Sequence, residues 1–281
     1  MPRTVRAGRG LRLVSAPAVA RERPRNTAAE AYFDAIGGSD TTLLLQLVAL
    51  VDAWQASGAW DEIDMAQPVL ELVSGQTTFP CLKNPDLHVA TVAAGSPTIS
   101  SQGVQDATSS SQLDTGWNPV TGGTNYTLGT AEFGVYVNTD EMPVNYFGIE
   151  MGHTNAFIRA MQTTVSTADP STANGRTNRN QSFSSDTGVG SALGLTSFVR
   201  TAATGANINF IYRDGVSITA TGRGGDAVAI TNSNMYLLNW NGSSTLRSPR
   251  RVCFCYAGGI LTDRPAFVSA LKRFLRSRGA A

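Results

Sequence analysis

Cysteine, histidine, charge and long apolar runs are all scarce in this sequence. Three cysteines in 281 residues cannot pair completely and lack zinc-module spacing, which excludes a disulfide framework or a structural zinc cluster. His88 and His153 are the only histidines, so no histidine pair supports a zinc site. Charged residues make up 15% where about 25% is usual; with 42% hydrophobic residues this excludes both a coiled coil and a chain disordered throughout. The longest apolar run, Leu43 to Val51, is interrupted by Gln46 and falls short of the roughly 18 to 20 residues of a membrane helix. The arginine-punctuated start has no compact apolar stretch and does not read as a secretory signal. A soluble protein without membrane insertion is expected.

What the sequence does have is glycine, 28 residues of it, as suits a turn-rich β protein. Its length allows one large β domain without forcing subdivision. Charge is unevenly placed. Residues 1 to 27 carry Arg3, Arg6, Arg9, Arg12, Arg21, Arg23 and Arg25 against Glu22, and residues 246 to 281 carry eight basic groups against Asp263. The stretch between them is strongly acidic. Guanidinium serves carboxylate and phosphate alike, but an acidic body repels nucleic acid. The basic leader therefore reads as a protein-docking arm rather than a nucleic-acid one.

Asn26 or Thr27 can cap a helix from Ala28 to Ile36, ended by Gly37-Gly38. Asp40 or Thr41 caps a second, with Leu43, Leu44, Leu47, Leu50, Val51 and Trp54 on one face that must be buried. From Pro68 onward the period changes to two. Strands are expected at Phe133–Val137, Tyr146–Met151, Ala156–Met161, Asn207–Tyr212, Val216–Thr219, Met235–Trp240 and Val252–Tyr256, with Asp214-Gly215 as a hairpin turn. Residues 168 to 187, rich in Ser, Thr, Asn and Asp, read as a long surface loop. Thr262-Asp263 opens a last helix with Phe267, Leu271, Phe274 and Leu275 on one face. The expected architecture is a mainly β, antiparallel two-sheet sandwich (67–281) closed by this helix, preceded by a basic arm (1–27) and a short helical neck (28–66).

Several segments carry a resemblance. Leu50-Val51-Asp52-Ala53-Trp54 with Gly58-Ala59-Trp60, Leu82-Lys83-Asn84-Pro85, Gly95-Ser96-Pro97-Thr98, and Leu113-Asp114-Thr115-Gly116-Trp117-Asn118-Pro119 come first. Tyr212-Arg213-Asp214-Gly215, Leu238-Asn239-Trp240-Asn241-Gly242-Ser243 and Ala257-Gly258-Gly259-Ile260-Leu261-Thr262-Asp263 follow in order. Together they resemble a family of bacteriophage and gene-transfer-agent virion proteins with a concanavalin A-like, laminin-G-like jelly roll. The resemblance implies a fibre, spike or decoration domain on the virion surface, assembled in the bacterial host cytoplasm, with other virion proteins and host cell-surface polysaccharide as partners. The leader arginines would anchor it. The apolar helix at 43–54 would allow homo-oligomers.

Trp60-Asp61-Glu62-Ile63-Asp64-Met65-Ala66-Gln67 is similar to the Glu-x-Asp-x-x-Glu strand of laminarinase-type glycosidases of the same fold. Retaining chemistry needs a second carboxylate about 5 to 5.5 Å from the first, and Gln67 cannot protonate a leaving group. A protein without catalytic residues is expected, the alternatives being a glycoside hydrolase or lyase of this fold and a purely structural particle component. Cys253 and Cys255 alternate along a strand and read as buried thiols facing one side. No cofactor is implied; acidic Asp140, Glu141 and Asp186 could face a calcium ion but lack a fixed ligand spacing. A bound sugar needs an aromatic plate for its C–H face and amides or hydroxyls for its edges. Trp117, Tyr126, Tyr146 and Trp240 are the candidate plates, with His153, Asn155, Asn239 and Asn241 as edge partners.

Overall fold

The structure, a computed structural model, describes residues 25–106, 110–139, 147–152, 159–163, 172–178, 184–187, 193–218, 224–230, 232–239 and 248–281. Its helices are α1 (Thr27–Ala35), α2 (Thr41–Ala56), α3 (Ala59–Glu62), α4 (Pro119–Gly122) and α5 (Arg264–Ser277). Its strands are β1 (Ile63–Pro68), β2 (Phe79–Pro80), β3 (Val89–Ala94), β4 (Thr98–Ser100), β5 (Gly103–Gln105), β6 (Gln112–Asp114), β7 (Ala131–Val137) and β8 (Phe147–Gly152), followed by β9 (Arg159–Thr163), β10 (Thr172–Arg176), β11 (Ser184–Thr187), β12 (Gly194–Arg200), β13 (Asn209–Arg213), β14 (Val216–Ser217), β15 (Tyr236–Leu237) and β16 (Val252–Gly258). They form two antiparallel eight-stranded sheets. The first runs β14-β13-β12-β7-β16-β5-β4 with β1 also paired to β16, and the second runs β11-β10-β9-β8-β15-β6-β3-β2. The expected β-sandwich of jelly-roll character is what the chain forms.

Alternation along each strand sorts side chains into two cores. Phe133, Val135 and Val137 of β7 lie between the sheets with Leu113, Met151, Phe198 and Leu237. Tyr136 of the same strand joins Phe254, Tyr256 and the helices. Helices α1, α2, α3 and α5 thus form a third layer on the outer face of the first sheet. Asn26 caps α1, accepting from the Ala28 and Ala29 N–H groups, and its amide donates to Asp52 (2.7 Å) and Gln55 (3.0 Å) of α2. Asp40 caps α2. Trp54, at the end of the apolar stripe, stacks on Phe267 of α5 at 4.7 Å and donates its indole N–H to the Phe267 carbonyl at 3.1 Å.

Four expectations are corrected here. Residues 28–66 are not a neck: α1 and α2 pack on the sandwich, and a boundary at 66 would cut β1, which pairs with β16 from Ile63 to Pro68. The face of α2 read as a self-association surface is filled by its own chain, Leu43, Leu47, Leu50, Val51 and Trp54 being at most 2% exposed. Residues 168–187 are not a continuous loop, because β10 and β11 lie within it, paired as a hairpin with β10 also on β9. Cys253 and Cys255 face opposite cores, because the register of β16 on β7 shifts between Val252 and Phe254.

One acid is buried beneath the helical layer. Glu132 of β7 accepts hydrogen bonds from the Tyr256 hydroxyl (2.6 Å), the Leu261 N–H (3.0 Å) and the Arg264 guanidinium (2.6 Å). Arg264 also lies over the Tyr212 ring, 4.2 Å from its centre. Burial pushes the Glu132 carboxyl up, while Arg264, Tyr256 and Leu261 pull it back. Losing only the cation strands a buried carboxylate, which costs about 3 to 5 kcal/mol. Arg264→Ala is expected to lose that much stability in urea denaturation, and Arg264→Ala with Glu132→Gln to regain more than half of it.

Candidate functional site

The residues proposed from sequence divide sharply. Trp117 is fully buried, as is Asn239, and Tyr126 is 3% exposed. Trp117 and Tyr126 do meet, edge to face with ring centres 5.7 Å apart. They meet inside the inter-sheet core, where no sugar reaches them. Tyr126 donates its hydroxyl to Asn178 (3.1 Å), and burial drives its pKa up. Tyr146, His153, Asn155, Trp240 and Asn241 lie outside the described residues. So do six of the leader arginines; Arg25 is exposed just ahead of α1.

The carboxylates of the glycosidase-like motif are spent on backbone groups. Glu62 accepts from the Thr262 N–H at 2.8 Å and from the Thr262 hydroxyl. Asp64, 4% exposed, accepts from the N–H groups of Asn125 (2.9 Å) and Tyr126 (2.7 Å). Gln67 donates to the Phe79 carbonyl at 2.6 Å. These three residues hold loops in place. His88 is half-buried with Nδ1 at 3.1 Å from the Gly116 carbonyl. Among the described residues no three His, Cys, Asp or Glu side chains group as a metal site; Asp140 and Glu141 lie outside them.

A different group of polar side chains sits on the outer face of the second sheet. In β6 and β15, Leu113 and Leu237 oppose one another and are buried inward with Met151 of β8. The neighbours Asp114 and Tyr236, also directly opposed, therefore face outward. Thr91 of β3 opposes Asp114 from the other side, and Gly152 of β8 opposes Tyr236. Asp114 and Tyr236 are half-exposed and Thr91 is exposed. The Asp114 carboxylate accepts from the Gly116 N–H at 2.8 Å and from the Asn234 amide at 2.9 Å. Partial burial, then the charge of Asp114, raises the Tyr236 pKa.

The chain reaches this arrangement through one tight turn. Gly116 has φ +69°, and a Cβ there would stand 2.8 Å from the Val89 carbonyl oxygen. Only glycine fits both the left-handed conformation and the space. The turn sends Trp117 into the core while leaving Asp114 on the surface. Chemically the row offers a ring edge, an amide, a hydroxyl and a carboxylate with acceptor capacity left, since a carboxylate has about four acceptor positions. Gly152 adds no side chain beside the ring.

Neither a scan against protein-family models nor a search of curated proteins returns a match. Among solved structures the chain is similar to the Trypanosoma rangeli sialidase in complex with 2,3-difluorosialic acid as a covalent intermediate, with a TM-score of 0.51 and 11% identity over 83% of this chain and 39% of that one. It is also similar to the sialidase of that organism in complex with sialic acid, at TM-score 0.49 and 14% identity over 83% and 39%. A third similarity is to the receptor binding domain of the botulinum neurotoxin C/D mosaic serotype, at TM-score 0.49 and 7% identity over 76% and 52%. The chain spans about two-fifths of the sialidases' length. What is shared at such identities is the β-sandwich fold. The match nevertheless corrects the expectation of a protein without catalysis: the fold occurs in glycoside-cleaving enzymes, and a missing carboxylate pair was the ground for that expectation.

Because Trp117 is core, Trp117→Ala is expected to act on stability, at about 3 to 5 kcal/mol. Urea denaturation measures it; a loss below 1 kcal/mol would place the ring outside the core.

Proposed function

We propose that this chain binds carbohydrate through the outer face of its second sheet, and that it does so as a surface component of a virion, tethered by its basic leader. The observation that carries the sugar-binding reading is the outward Asp114–Tyr236 pair with Asn234 and Thr91 beside it. An aromatic flank next to fixed donors and acceptors is what a sugar's mixed surface requires. The fold shared with a sialidase solved with 2,3-difluorosialic acid supports the same ligand class. The virion reading is supported by the ordered motifs between residues 50 and 263 and by the seven leader arginines ahead of an acidic body. Cell-surface polysaccharide is the ligand this reading assigns, and other virion proteins the docking partners.

The sialidase-like fold also favours a second reading, cleavage of the bound glycan. Glu62 and Asp64 would not be its acid and base, since both are engaged by backbone N–H groups.

On a glycan array, Tyr236→Ala is expected to weaken binding of the intact chain by about tenfold or more, as loss of a central aromatic anchor does, with an unchanged far-UV spectrum. Unaltered binding by that variant would overturn the assignment of this face. Mass analysis of the glycan after incubation separates binding, which leaves it intact, from cleavage, which shortens it. A chain lacking residues 1–24, which spares the Asn26 cap, is expected to stay folded and fail to join particles; retained incorporation would remove the anchoring role.

A further inference from the structure

The polar file on the outer face of the second sheet does not end at Asp114 and Tyr236. Leu113, Thr115 and Trp117 are buried, while Asp114, Gly116 and Asn118 between and beyond them reach solvent. On the opposing segment Met235 and Leu237 are buried, while Asn232, Asn234 and Tyr236 reach solvent. Alternation of this kind puts every second residue on one face. The two segments stay together past the strand ends, because the Thr115 N–H donates to the Met235 carbonyl at 3.0 Å and the Met235 N–H donates to the Trp117 carbonyl at 2.9 Å. Further along, the Asn118 amide donates to the Asn232 side-chain oxygen at 2.9 Å, and the Asn118 oxygen accepts from the Val120 N–H at 2.9 Å. The amide N–H groups of exposed Asn232 then have no acceptor among the described residues. Between the two polar stations Gly116 carries no side chain to part them.

We propose that the sugar face is elongated, with Asp114 and Tyr236 as one subsite and Asn118 and Asn232 as a second, and that its ligand is an internal stretch of a polysaccharide chain rather than a single terminal sugar. The inference rests on the sugar-binding reading of this face and adds its length and direction. Asp114 and Asn118 are four residues apart, and at about 3.4 Å per extended residue the stations stand up to about 14 Å apart, more than one sugar ring covers. Their chemistry differs. Asp114 accepts, since the Gly116 N–H and the Asn234 amide leave part of its roughly four acceptor positions open, so sugar hydroxyls donate to it. Asn232 donates, and a hydroxyl, ring or glycosidic oxygen of a later unit accepts from it. A ligand meeting both lies along β6 and β15 rather than across the sheet, with its linkage over the bare backbone of Gly116.

The test titrates the full-length chain, by calorimetry, with malto-, cello-, chito- and oligosialic acid series, each from the monosaccharide to the hexasaccharide. Affinity is expected to rise by about tenfold once the ligand is long enough to reach Asn232, and then to level off. Asn232→Ala is expected to remove that gain and to leave the shortest binding sugars unchanged, with a parental far-UV spectrum; Asn232 is chosen because Asn118 also caps α4. Tyr236→Ala is expected to weaken every length. Affinity independent of length, or an Asn232→Ala effect that is absent or equal at all lengths, would overturn the elongated site and leave the face standing, provided Tyr236→Ala still weakens binding. No loss with Tyr236→Ala, or no binding of any series, would overturn the face and the elongated site together.

Discussion

The first sheet has no face to offer a ligand, because its two central strands are buried at every position. β7 and β16 each run seven residues without an exposed side chain. One side of them meets the second sheet through Phe133, Val135 and Cys255; the other meets helices through Tyr136, Phe254 and Tyr256. A strand pair covered on both sides must find cover twice, and the chain supplies it from both of its ends, α1 and α2 before the sandwich and α5 after it. Among the described residues, that leaves the outer face of the second sheet and the outer face of the helical layer turned to solvent.

Covering a sheet with helices carries one electrostatic difficulty, and Glu132 is where it is met. A carboxylate fully removed from water is tolerable only if its oxygens are occupied and its charge is opposed. Here the opposing charge is placed by α5 itself, since Arg264 is the first residue of that helix and Asp263 caps it by accepting from the Ala266 N–H at 2.9 Å. The cap sets where the helix begins, the start sets where Arg264 points, and the pairing fixes the helix over the sheet. Tyr256 and Leu261 complete the shell. The same contact therefore ties the C-terminal helix to β7 and determines how α5 approaches α2.

Where helical period and turn chemistry were strong, the sequence could be read almost residue by residue. The stripe of α2 and its Asp40 cap are examples, as is the hairpin at Asp214-Gly215, whose φ values of 52° and 85° are those its residue types favour. The failures have local causes. β10 shows no apolar alternation because its inward position is Gly175, where a Cβ would stand 1.6 Å from the Phe198 ring; the facing sheet fills that space. β15 is two residues long, too short for any period to show. Trp117 follows a surface turn and looked available, yet Gly116 redirects it into the core. Asp114 and Tyr236 lie in segments legible from sequence, but their facing only emerges once Leu113 and Leu237 oppose one another inside.

That inner pair is also why the outer one is suited to recognition. Leu113 and Leu237 lock β6 against β15 from within, so Asp114 and Tyr236 are held across from each other by backbone pairing rather than by a loop. The Gly116 N–H and the Asn234 amide then fix the carboxylate before any ligand arrives. A site whose donors and acceptors are already aimed loses less conformational entropy on binding than one assembled around its ligand. The strand pair is aimed in this way because the leucines that close the core and the polar residues that face the solvent alternate along the same two short strands.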